Sequence, residues 1–156
     1  MDLNKGGARR LAKLLVAGSL AAAGVQAAQA DELRIKMLET SGSGPLAFEP
    51  AFVKAKAGDT IVFEPTQKGN HSVVSLLVPA GAQPWEGAPD KEVRIRVDAE
   101  GVYLYVCAAH RMMGMVGVIL VGNPVNLEDA RRVAKQETSK FVLNKDRFDK
   151  ALAQID

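Results

Sequence analysis

The stretch Val102-Tyr103-Leu104-Tyr105-Val106-Cys107-Ala108-Ala109-His110-Arg111-Met112-Met113-Gly114-Met115, followed by the apolar run Val116 to Val121, decides how this chain reads. A β-branched and aromatic run stops at a cysteine and a second apolar run starts after a methionine, which is the pattern of strand, loop, strand. Cys107, His110 and Met115 fall within nine positions at the spacing C-x2-H-x4-M. A soft thiolate, an imidazole and a thioether together suit a copper ion that alternates between Cu(I) and Cu(II). The trigonal two-histidine, one-cysteine arrangement with a weak axial methionine needs one more imidazole. The chain has two histidines, His110 and His71, so the inventory closes with nothing left over. Alone, His71 would read as a surface or hydrogen-bonded loop residue and Cys107 as a small buried hydrophobe. The triplet changes both readings.

Outward from that loop, the first thirty residues stand apart. Lys5, Arg9, Arg10 and Lys13 precede the apolar run Leu14 to Val25, and Ala28-Gln29-Ala30 is an A-x-A cleavage pattern. Together they predict a secretory signal peptide over residues 1–30, removed before Asp31. The apolar run is shorter than the roughly 20 residues a membrane span needs. The Arg9-Arg10 pair hints at twin-arginine export, although its surroundings fit an ordinary export signal better. Residues 31–156 then form one domain. Four of the 20 basic and one of the 18 acidic residues belong to the signal, which leaves 16 against 17 and a net charge of −1. No basic stripe survives to hold nucleic acid. A single cysteine cannot close an internal disulfide even where the compartment permits one, so Cys107 is an inert thiol, a reactive thiol or a metal ligand.

The rest of the chain reads as short strands between turns, an all-β sandwich or barrel. Leu33, Ile35 and Met37 alternate with polar neighbours as a half-buried first strand, and Ser41-Gly42-Ser43-Gly44-Pro45 is a turn. Phe52 and Val53 fall in a second strand, Thr60 to Glu64 in another stopped by Pro65, and Gln67-Lys68-Gly69-Asn70 is a loop that delivers His71. Val73 to Val78 is apolar, Pro79 to Asp90 is a long loop carrying Trp85 over apolar surface, and Glu92 to Asp98 alternates cleanly. After Gly122-Asn123-Pro124 the period changes. Asn126 is a candidate helix N-cap with Leu127, Ala130, Val133 and Ala134 at helical spacing, and a second short helix starting near Asn144 puts Phe148, Leu152 and Ile155 on one face. Both helices are expected to cover apolar surface of the barrel.

The segment Phe48 to Thr60, the loop Lys68-Gly69-Asn70-His71 and the motif Cys107 to Met115 resemble pseudoazurin, a small blue-copper cupredoxin, and the resemblance spans essentially all of residues 31–156. It implies an eight-stranded Greek-key β-barrel or sandwich with two short C-terminal helices, one type 1 copper ion, and His71, Cys107, His110 and Met115 as its ligands. It also implies a docking patch around His110, the electron port, here made of Lys68, Ala109, Arg111, Met112 and Met113. Lys68 and Arg111 are placed to steer an acidic partner or are ordinary solvated charges; Thr40 stands where relatives carry lysine, which thins the basic ring. The chain departs from the family in three further places. One residue is inserted before His71, Ser72 replaces the asparagine that tethers the two ligand loops, and Ala109 replaces a common proline, offering a backbone N–H to the thiolate sulfur.

The function implied is electron transfer in the periplasm by a monomeric carrier, passing single electrons between transient redox partners such as nitrite reductase or a c-type cytochrome. The alternative is a copper trafficking or storage protein, which predicts a Cu(I)-selective site with no strongly blue Cu(II) form. A copper enzyme is excluded by counting, because both histidines are already assigned. Zinc is a weaker fit, since a thioether is a poor zinc ligand.

Overall fold

The computed structural model describes residues 30–155 together with Met1, so all but the two ends of the predicted signal lie outside the described residues. The order of elements is β1 (Glu32–Ser41), β2 (Gly44–Glu49), β3 (Phe52–Ala55), β4 (Thr60–Glu64), β5 (Val74–Leu77), β6 (Val93–Arg96), β7 (Gly101–Val106), β8 (Val116–Val121), α1 (Leu127–Thr138) and α2 (Arg147–Leu152). The strands form two four-stranded sheets, ordered β2-β1-β4-β6 and β3-β8-β7-β5. Two pairings are parallel, β1 with β4 and β3 with β8, and the rest are antiparallel. The expected all-β fold with two short C-terminal helices is what the chain adopts.

The alternation predicted for β1 places Ile35 and Met37 between the sheets, where they meet Phe48, Ile61, Phe63, Tyr103 and Tyr105. Tyr105 is the hub of this core, with its ring centroid 4.9 Å from Phe48 and 5.0 Å from Phe63, both edge-on. Trp85 stacks on Phe63 at 6.4 Å, so the long loop does cover apolar surface.

Every residue of β7 and β8 is buried, because both faces of this strand pair are covered. Tyr103 and Tyr105 face the inter-sheet core, while Val102, Leu104 and Val106 face a second cluster with Val118, Ala130, Ala134, Phe141 and Phe148. The helices supply that outer cover. A six-residue helix such as α2 has no stability of its own. Burying Phe148 and Leu152, worth about 1.5–3 kcal/mol each, holds it in place.

Two local expectations are revised. The turn read at Ser41 to Pro45 is shorter, and β2 begins at Gly44; proline is tolerated there because β2 is an edge strand. Asn126 does occupy the N-cap position of α1, but its side chain makes no capping bond. Its amide reaches β7 instead, accepting from Val102 N at 2.7 Å and donating to Val102 O at 3.0 Å. The helix is anchored to the sheet by the residue that was expected to cap it.

Candidate metal centre

The ladder between β7 and β8 continues past the strand ends, with Cys107 N donating to Met115 O at 2.9 Å. Cys107 and Met115 are therefore opposite each other at the mouth of a closed loop, both fully buried and both in the inter-sheet core. The loop turns through a short 3-10 segment, Arg111–Met113, that ends on Gly114 in the left-handed region at φ 67°. His110 Nδ1 points back to 3.6 Å from Cys107 Sγ. From the other side of the barrel end comes His71, fully buried, its ring centroid 5.1 Å from that of His110.

One ligand atom from each of His71, Cys107 and His110 lies within 4.8 Å of the others. Neither ring nitrogen of His71 has a hydrogen-bond partner, although both are shielded from water. An unpartnered buried imidazole is costly unless something else takes its lone pair. Burial also pushes the His71 imidazole below its usual pKa, against an opposing pull from Glu39, and the neutral form is the one that binds metal. Two imidazoles, a thiol and the buried Met115 thioether at one barrel end fit a copper ion by chemistry and by enclosure.

The loop carrying His71 is held by Asp90. The backbone N–H groups of Gly69, Asn70 and His71 all donate to its carboxylate, at 3.3, 3.1 and 3.0 Å, and Asp90 N donates back to His71 O at 2.6 Å. Burial raises the Asp90 carboxyl, but the three donors outweigh it and leave the group below its ordinary pKa. Ser72 joins the His71 loop to the Cys107 loop. Its hydroxyl accepts from Ala108 N at 3.3 Å and its N–H donates to Cys107 Sγ at 3.4 Å. The N–H expected from Ala109 makes no such bond; the sulfur's backbone donor comes from the histidine loop.

The second half of the loop is tied, residue by residue, to the two helices and the linker between them. Arg111 forms a two-pronged pair with Glu137 of α1, Nη2 to Oε2 at 2.7 Å and Nε to Oε1. Val142 N donates to Met112 O at 2.8 Å, Asn144 Nδ2 to Met113 O at 2.8 Å, and Arg147 Nη1 to Gly114 O at 3.1 Å. Gly114 has no room for a side chain, since a Cβ would sit 2.7 Å from Leu143 O. Four consecutive loop residues are thus fixed from outside.

This pairing changes the reading of Arg111. Arg111 is not a wholly solvated charge, since it pairs with Glu137, which is 3% exposed. Its own side chain is still 42% exposed, and Glu137 also holds Lys140, so the three groups together keep a positive charge at this edge. Arg111, with Lys140 assisting, holds the Glu137 carboxyl below its ordinary value of 4.5 against the effect of burial. A carboxyl depressed on folding contributes stability above its unfolded pKa and loses it as pH falls through the folded value. In Glu137→Gln, thermal stability is therefore expected to fall less between about pH 5 and pH 3 than in the wild type. Parallel stability curves for the two proteins over that range would remove the pair from the account.

Of the other docking residues, Lys68, Ala109, Met112 and Met113 are exposed and His110 is half-buried. Met112 and Met113 are joined on the surface by Val142 and Leu143, exposed apolar residues of the α1–α2 linker that the sequence reading did not place there. No local signal marks them, since the linker reaches the loop only through the fold. Glu39, also missed, did have a signal. It continues the parity of Leu33, Ile35 and Met37, which puts a carboxylate on the inward side of β1.

Residues 35–122 match the family of copper binding proteins described as plastocyanin/azurin. A pseudoazurin of Methylorubrum extorquens is 40% identical over 130 residues, covering 82% of this chain and 84% of the relative. A pseudoazurin of Paracoccus pantotrophus is 37% identical over 123 residues, covering 78% and 81%. The refined crystal structure of pseudoazurin from Methylobacterium extorquens superposes with a TM-score of 0.70 at 38% identity, covering 81% of this chain and all of that one. Native pseudoazurin from Hyphomicrobium denitrificans gives 0.68 at 35% identity, with 80% and 98% covered. With this sequence, this fold and this cluster of side chains, the chain belongs to the pseudoazurins, electron-carrying cupredoxins that bind one type 1 copper ion and are not enzymes.

Proposed function

We propose that the copper is held by His71, Cys107, His110 and Met115, and that the protein carries single electrons in the periplasm to a reductase such as nitrite reductase. The observation that supports this ligand set most directly is the convergence of His71, Cys107 and His110 within 4.8 Å at one buried barrel end. Copper held there by two imidazoles, a thiolate and a thioether would supply a one-electron Cu(I)/Cu(II) couple, since that donor set suits both states. The chain's part is to hold that geometry still: Ser72 joins the two ligand loops, Asp90 fixes one and the helices fix the other. A site that does not rearrange keeps the barrier to electron exchange low.

The half-buried His110 is the port, set among exposed Ala109, Met112 and Met113 with Lys68 at the edge. Small apolar contacts of this kind exclude water yet release quickly, as transient redox docking requires. Either a c-type cytochrome or a reductase fits such a surface. The carrier acts as a monomer after removal of residues 1–30, and among the described residues no helix is long and apolar enough to cross a membrane.

Adding Cu(II) to the metal-free protein is expected to give an intense thiolate-to-copper absorption in the visible, with reversible one-electron voltammetry. A colourless protein that takes up only Cu(I) would replace the carrier with a trafficking role.

A further inference from the structure

Glu39 lies on β1, outside the ligand set, with its carboxylate wedged between the Gly69 backbone and the His71 ring. Oε1 is 3.1 Å from His71 Nε2, an ion-pair distance, though not aligned for a hydrogen bond in this arrangement. A Cβ on Gly69 would fall 1.7 Å from the same oxygen, so the approach depends on glycine at that position. Since Nε2 faces Glu39, Nδ1 is the nitrogen left for a metal. Once Nδ1 is bound, the proton must reside on Nε2, which is shielded from water and has Glu39 beside it as acceptor.

We propose that Glu39 is a positioning residue for the copper centre, orienting His71 through Nε2–H and lowering the reduction potential by making that imidazole a stronger donor. The proposal rests on His71 being a ligand. A carboxylate behind a metal-bound imidazole fixes its tautomer and raises its basicity. Its negative charge favours the more highly charged Cu(II) over Cu(I). The two effects have the same sign. Because the Glu39 side chain is 45% exposed, solvent screens the charge and keeps the effect moderate.

The test compares the copper-loaded wild type with Glu39→Gln and Gly69→Ala by voltammetry at fixed pH, with visible spectra and thermal melts alongside. Glutamine keeps the shape and loses the charge. It is expected to weaken Cu(II) relative to Cu(I) about tenfold, the lower end of the usual loss for such partners, and so to raise the potential by about 59 mV. Gly69→Ala displaces the flexible carboxylate and is expected to raise the potential too, with little further rise in the double variant. A potential unchanged in Glu39→Gln, even with a lowered melting temperature, would show a merely structural role and overturn the proposal. A wild type that forms no blue Cu(II) site overturns the ligand assignment itself, and this proposal with it, and is recognised before any variant is made.

Discussion

Arg147→Met lowers the stability of the metal-free protein by about 3 kcal/mol, a large share of the roughly 5–15 kcal/mol typical of a domain. Arg147 is buried, and its guanidinium donates to Pro45 O at 2.7 Å, Gly114 O at 3.1 Å and Leu46 O. Methionine fills similar volume but donates nothing, so carbonyls of β2 and of the metal loop lose this donor together. Among the described residues, only Pro45 O of the three keeps a side-chain donor, Asn144 Nδ2 at 3.3 Å. Removing a buried charge recovers part of the cost, which keeps the estimate below the sum of three lost bonds. The effect should appear as a fall of about 10 °C in melting temperature. Arg131→Met is the control, since its pair with Glu128 lies on the exposed face of α1 and should matter by less than about 0.5 kcal/mol. Equal losses in the two variants would mean that the clasp is not what holds α2 to the barrel.

Cys107→Ser is expected to abolish the intense blue absorption and the reversible couple while leaving the barrel folded. The alcohol is a far harder and less acidic ligand than the thiol, and the thiolate is what makes the site tolerant of both copper states. Met115→Leu provides the contrast. On the proposed ligand set it removes only a weak thioether donor, so the blue band should persist and the potential should rise. Absorption surviving in Cys107→Ser would place the chromophore elsewhere, and equal losses in both variants would mean that the thioether is no weak ligand.

Much of this was legible from residue order. The C-x2-H-x4-M spacing pointed to Cys107, His110 and Met115 before any geometry, because a strand-loop-strand motif brings its own loop residues together locally, and the histidine count pointed to His71 as the other available imidazole. The parity of β1 and the helical spacing after Pro124 gave the layers. What stayed hidden are relations across long separations. Arg111 and Glu137 are 26 residues apart, and nothing in either neighbourhood shows that they pair. Asn126 had the residue type of a cap and spends its amide on β7, 24 residues away. The N–H meeting Cys107 Sγ comes from Ser72 rather than from Ala109 two residues along the chain, because the two ligand loops pack against each other.

The residue-by-residue clasp between loop positions 111–114 and the helical hairpin has a consequence for grafting. Copper loops look interchangeable between barrels, as short inserts joining two strands. Here the insert is only half of the object, since its outer edge is written in Glu137, Val142, Asn144 and Arg147. Transplanted alone into a barrel without C-terminal helices, the loop would arrive with its ligand order intact and its anchors left behind. The transferable cassette runs from Cys107 to Leu152, and any recombination or loop-shortening scheme that cuts inside it separates the ligands from what holds them.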